Sequence, residues 1–109
     1  MTNEDFKRCT EECGYIYIVA GDAVYAVNDE RDGVWIAEFD HERKLRCCTD
    51  WNYSGLKFSI DNMYAVDPVE LTDISENNYK KHLNNITKIK KEIIQAEMER
   101  NLKEDFLGD

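Results

Sequence analysis

Six carboxylates fall within fourteen residues of this chain: Asp29, Glu30 and Asp32 just before Gly33, then Glu38, Asp40 and Glu42. Side chains of this type at this density can hold a divalent cation, help activate water, or present negative charge to a cationic partner. Against the twelve-residue calcium loop, Asn28, Glu30, Asp32 and Gly33 take positions one, three, five and six, but position twelve, which needs a bidentate glutamate, is Phe39. The flanking residues are strand formers rather than helix formers, which also argues against that loop. Glu42-Arg43-Lys44 has the E-x-K spacing of a Mg2+-dependent nuclease half-site, with Asp29 or Asp32 as the preceding metal carboxylate. Two carboxylates would hold the ion and the lysine would steady the attacking water. The Pro-Asp expected at the first position is missing, and a chain with 34% charged residues meets so short a pattern by chance. Binding is the remaining chemistry. Carboxylates on a stiff hairpin can occupy an Arg/Lys groove made for nucleic acid and lose little entropy on docking. Arg31 and Arg43 interrupt the strip, and charge along an edge strand also serves simply to prevent sheet aggregation.

Other chemistries find less support. Zinc would need Cys9, Cys13, Cys47 and Cys48, yet adjacent Cys47 and Cys48 on a strand point to opposite faces and the C-x2-C pairs of structural sites are absent. Cys9 and Cys13 share a helix face with Phe6, so burial as small hydrophobes accounts for them. His41 sits among charges in a turn and His82 on a long helix, neither near a nucleophile motif. The five glycines are scattered at turns and form no phosphate-cradling loop. The expectation is a non-enzymatic protein with no metal and no cofactor.

Charge is the strongest compositional signal, with 14 basic against 23 acidic residues and a formal net charge of -9. It is uneven: residues 1–78 carry 7 Lys/Arg and 17 Asp/Glu, whereas residues 79–109 carry 7 and 6. Lys80, Lys81, Lys88, Lys90 and Lys91 precede any acid in the second part, either as the solvated face of a helix or as a contact for an acidic surface or phosphate. An acidic body disfavours direct binding to nucleic acid and favours a basic protein partner. The N-terminus, M-T-N-E-D-F-K-R, has no signal-peptide character and no transmembrane-length run follows, so a cytoplasmic protein with reduced thiols is expected.

These groups need elements to position them. At 109 residues the chain makes a single domain, with 42% apolar residues enough for a modest core. Thr2 and Asp5 resemble a capping box and Gly14 a stop, which predicts a helix over residues 3–13. Y-I-Y-I-V-A and A-V-Y-A-V flank Gly21-Asp22, a two-residue hairpin signal. That turn sets Ala20 against Ala23, Ile18 against Tyr25 and Ile16 against Val27. Both faces of the hairpin are apolar enough to be covered, and the terminal helices are the available covers. Val34 to Phe39 is a third strand, D-H-E-R a turn, and Lys44 to Thr49 a fourth strand. The D-W-N-Y-S-G loop then offers Trp51 and Tyr53, as rings closing the sheet or as anchors of a protein interface. Leu56, Phe58 and Ile60 alternate with polar residues as a fifth strand, and Met63 to Val66 adds a short sixth before Asp67-Pro68 breaks the pattern.

From about Ile74 the period becomes helical, with Tyr79, Leu83, Ile86, Ile89, Ile93 and Ile94 on one side and Met98, Leu102 and Phe106 drifting around from it. Thirty-odd residues make a rod of roughly 50 Å, whereas a body of about 75 residues has a radius of gyration of roughly 11 Å. The outer part, Ile93, Ile94, Met98, Leu102 and Phe106, therefore either breaks or finds another chain, as in a homodimer. The fold expected is α+β: an acidic helix-plus-antiparallel-sheet body over residues 1–73, with a meander of five or six strands, and a long helix over 74–107 packed partly on it.

Residues 24–40, V-Y-A-V-N-D-E-R-D-G-V-W-I-A-E-F-D, resemble one blade segment of the quinoprotein-type propeller repeat. Such propellers need several blades, so one copy marks local hairpin chemistry rather than that fold. In size, acidity and sheet-plus-helix build the chain as a whole resembles the small inhibitor proteins of phages and mobile elements, anti-CRISPR and anti-restriction proteins among them. That resemblance implies a DNA mimic. Asp29, Glu30, Asp32, Glu38, Asp40 and Glu42, with Trp51 and Tyr53 beside them, would occupy the basic channel of a nucleic-acid-handling enzyme. The alternatives are the Mg2+-dependent nuclease and a structural homo-oligomer assembled through the C-terminal helix.

Overall fold

The computed structural model describes residues 1–29 and 34–107, with side chains through residue 102. Thr2 closes a capping box with Asp5 and starts α1 (Asn3–Glu12), which ends at Cys13 with Gly14 in the left-handed region. Five strands follow: β1 (Ile16–Ala20), β2 (Ala23–Val27), β3 (Trp35–Phe39), β4 (Leu45–Tyr53) and β5 (Met63–Leu71). They form one antiparallel sheet in chain order. The last element is α2 (Glu76–Leu107), continuous over 32 residues. Ser75 Oγ accepts the Asn78 N–H at its start. The architecture is α+β, and no helix among the described residues is long and apolar enough to cross a membrane.

Hairpin β1–β2 has the register read from its sequence, Ile16 with Val27, Ile18 with Tyr25 and Ala20 with Ala23. β3 carries a bulge at Ile36, where Ala26 pairs with Ala37 but Val27 with Trp35. The second half of the sheet departs from expectation. β4 does not stop at Thr49 but runs on through Trp51 to Tyr53, and β5 answers it residue for residue, Trp51 against Ala65 and Tyr53 against Met63. Leu56, Phe58 and Ile60 form no strand, because β4 already has β3 on one side and β5 on the other. They lie in a loop closed by the Ser54 N–H donating to the Asn62 carbonyl, ending in a short 3-10 turn. Leu56 is fully exposed, and only Phe58 packs inward, edge-on to Tyr53. Nor does Asp67-Pro68 end β5. Asp67 takes φ 58° and Pro68 pairs with Cys48, tolerated because β5 is an edge strand.

Both helices pack on the same face of the sheet. Phe6 of α1 stacks between Phe39 and Tyr79 of α2, with ring centroids 5.8 and 4.9 Å away. Around it Leu45, Cys47, Leu83 and Ile86 are fully buried. Trp51 pins the middle of α2 by donating its Nε1–H to the Ile86 carbonyl at 2.8 Å. Arg8 with Glu76 and Lys80 with Glu12 join the two helices by ion pairs. The expectation that helices cover both faces is therefore corrected: two helices on one layer leave the other layer open. On that open side Ile18, Ala20, Tyr25, Val27 and Trp35 line a depression of about 240 Å³. Beyond Ile94 the long helix leaves the body, and the molecule measures 56 × 25 × 21 Å.

Candidate functional site: the acidic sheet face

Glu38 and Arg46 are directly opposed on β3 and β4, and Glu70 opposes Arg46 from β5. Side chains at these positions, with Asp50 two pleats along from Cys48 on the same side of β4, point away from the helices. Glu38 accepts from Arg46 Nη1 at 2.5 Å, and that partner raises the guanidinium pKa. Asp40 organises the β3–β4 turn. Its Oδ1 accepts the N–H groups of Glu42 and Lys44 at 2.9 and 3.0 Å, and Arg43 completes the turn at φ 64°. The Lys44 amide, foremost, holds the Asp40 carboxyl below its ordinary value, with Arg46 3.6 Å from its other oxygen. Glu42 is exposed and pairs with Lys44 at 3.2 Å, while His41 meets Asp22 at 3.2 Å.

The expected strip is thus drawn inward at its centre. Glu38 and Asp40 are mostly buried, and their charges are met by Arg46 and by turn amides. Asp29 is half-buried at the end of β2, and Glu30 and Asp32 lie outside the described residues. Trp51 is 6% exposed and belongs to the core, with Lys90 over its ring, so it is no interface anchor. Tyr53 is half-buried against Phe58. Of the nominated helix residues, Ile93 and Ile94 pack partly on the body, whereas Met98 and Leu102 are 59% and 62% exposed. The Phe106 side chain lies outside the described residues.

Carboxylates that the sequence did not single out are better presented. Asp50, Asp61, Asp67 and Glu70 are exposed, and among the described residues none of them forms an ion pair within 4.0 Å. Asp50 and Glu70 stand on the uncovered face of the nine-residue β4–β5 ladder. The signal that finds them is the pairing of β4 with β5, which the loop-like composition of residues 50–55 conceals. With Glu38 and Asp40 satisfied by Arg46 and by turn amides, these four are the more exposed carboxylates of this part of the sheet, although Glu70 still acts on Arg46 at longer range.

No group of three His, Cys, Asp or Glu suited to a cation occurs among the described residues. Asp29 and Glu42 stand beyond opposite ends of β3, whose five residues span roughly 17 Å, so these two cannot share one Mg2+. All four cysteines are free thiols. Cys47 faces the helices and Cys48 the open side, where its Sγ lies 3.5 Å from the Trp35 carbonyl. Burial pushes these thiols up to about 12 and about 11, far from thiolate reactivity.

No protein-family model, curated protein or solved structure matches the chain.

Proposed function

We propose that this protein is a non-enzymatic, acidic binding protein. Its open sheet face engages a basic, nucleic-acid-binding surface of another protein, in the manner of phage-type anti-defence inhibitors that mimic DNA. The observation that carries the reading is a set of exposed carboxylates that form no ion pair within 4.0 Å among the described residues, Asp50, Asp61, Asp67 and Glu70, the last acting on Arg46 only at longer range, on and beside a stiff ladder in a chain of net charge -9. Preorganised acids of this kind lose little on docking to an Arg/Lys groove, which is itself costly to leave unneutralised. Glu42, exposed beyond the end of β3, extends the charge. The cytoplasm, where such partners work, is the compartment this reading requires.

The test is capture of partners from a bacterial lysate on the immobilised protein, with duplex DNA as competitor. Expected is a nucleic-acid-handling protein displaced by DNA and no longer retained by the variant Asp50→Asn, Asp61→Asn, Asp67→Asn, Glu70→Gln. A partner indifferent to both DNA and neutralisation would remove the proposal. The exposed Met98 and Leu102 on the overhanging helix support a second reading, assembly into a homo-oligomer through α2. Scattering mass of Met98→Glu/Leu102→Glu against wild type tests it, with an unchanged mass counting against.

A further inference from the structure

We propose that the β1 edge of the sheet is a self-association surface, on which β1 of a second copy of this chain adds antiparallel. The two edges of the sheet are built differently. β5 is defended: Pro68 has no N–H to offer, Asp67 turns the backbone at φ 58°, and Asp67 and Glu70 set charge along it. β1, with the sequence I-Y-I-V-A, has no charge, no proline and no positive φ. Its outer backbone donors and acceptors face no described strand, and Val19 and Ile16 are 65% and 37% exposed. An uncharged edge of this kind is a template for another strand.

The occupant is set by self-complementarity. Centred on Ile18, an antiparallel copy places Ile18 against Ile18, Ile16 against Ala20 and Tyr17 against Val19, so every opposed pair is apolar. A two-fold axis through Ile18 generates this register without further adjustment. On the open face Ile18 and Ala20 already line the depression with Tyr25, Val27 and Trp35, so pairing joins the depressions of two copies into one continuous apolar surface. Along the helix side an open groove of about 530 Å³ runs beside Lys7, Glu11, Tyr15 and Ile16, leaving room for the incoming strand's side chains. Each copy carries net charge -9, so salt that screens their repulsion strengthens this contact, opposite to its effect on a basic partner.

Light scattering of the full chain over a range of concentration and salt tests the proposal. The expected mass rises towards twice the 12.8 kDa of one chain, and more readily at high salt. Val19→Lys, at a well exposed position, is expected to restore the monomer with an unchanged circular dichroism spectrum. Ile18→Cys is expected to give a covalent dimer on mild oxidation, since opposed Cα atoms of paired strands lie about 4.5–5.5 Å apart, within disulfide reach. A wild-type monomer under all conditions overturns the proposal. So does a dimer that survives Val19→Lys but is lost in Met98→Glu/Leu102→Glu, which would place the contact on α2. Should Val19→Lys fail to fold, absence of the Ile18→Cys bridge is the overturning result.

Discussion

At the scale of single residues, the buried polar groups hold the helices in place. Thr10 and Tyr79 are both fully buried, and their hydroxyls lie 2.6 Å apart between α1 and α2. Removing one partner leaves the other buried without a hydrogen bond, so Tyr79→Phe should destabilise the fold by about 1–3 kcal/mol. Chemical denaturation measures this, and a change within error would show that water replaces the contact. Asp40 gives a pH prediction. Its folded pKa lies below the ordinary 3.8 because amides and Arg46 stabilise the carboxylate. Its contribution is therefore fully present above that ordinary value and is lost as pH falls through the folded one. Asp40→Asn should lower stability at neutral pH and flatten the acid limb of the profile; parallel profiles for the two proteins would contradict this. The pairing of Arg46 is not legible in the sequence, because it depends on which β4 residue opposes Glu38, whereas the Asp40 bonds are local to the D-H-E-R turn.

Among the elements, short-range signals in the sequence match the structure. The capping box of α1 needs only Thr2 and Asp5, and the Gly21-Asp22 turn alone sets the β1–β2 register. Where partners are distant the pattern misled. Leu56, Phe58 and Ile60 alternate as a strand should, but β5 takes the β4 edge and these residues stay in the connection between β4 and β5. Helix α2 was legible in type and length, and the structure divides it in two. Its inner half buries Tyr79, Leu83 and Ile86, whereas Met98 and Leu102 meet no core. Leu83→Ala should cost about 2–5 kcal/mol, while Leu102→Ala should change monomer stability by less than about 0.5 kcal/mol. Equal effects in thermal or urea melts would mean that the outer half packs on something within the same chain.

The whole molecule has two chemically different surfaces on one uncovered layer. Towards β1 it is apolar and uncharged, and towards β5 it carries Asp50 and Glu70. Net acidity was evident from composition, but the placement of the acids was not, since a count cannot distinguish a carboxylate satisfied by Arg46 from one facing solvent. Thus the strip near β3 lost Glu38 and Asp40 to internal pairing, and the free charge is found on the β4–β5 side. An acidic face that recognises a cationic partner must respond to ionic strength, because its attraction is long-ranged and screened over about 8 Å at physiological salt. The decisive measurement is the affinity of the captured partner as a function of salt, for wild type and for the variant neutralised at Asp50, Asp61, Asp67 and Glu70. The account predicts a steep fall in wild-type affinity from low to moderate salt and a much shallower slope in the variant. Affinity independent of salt, or equal slopes for the two proteins, would contradict it.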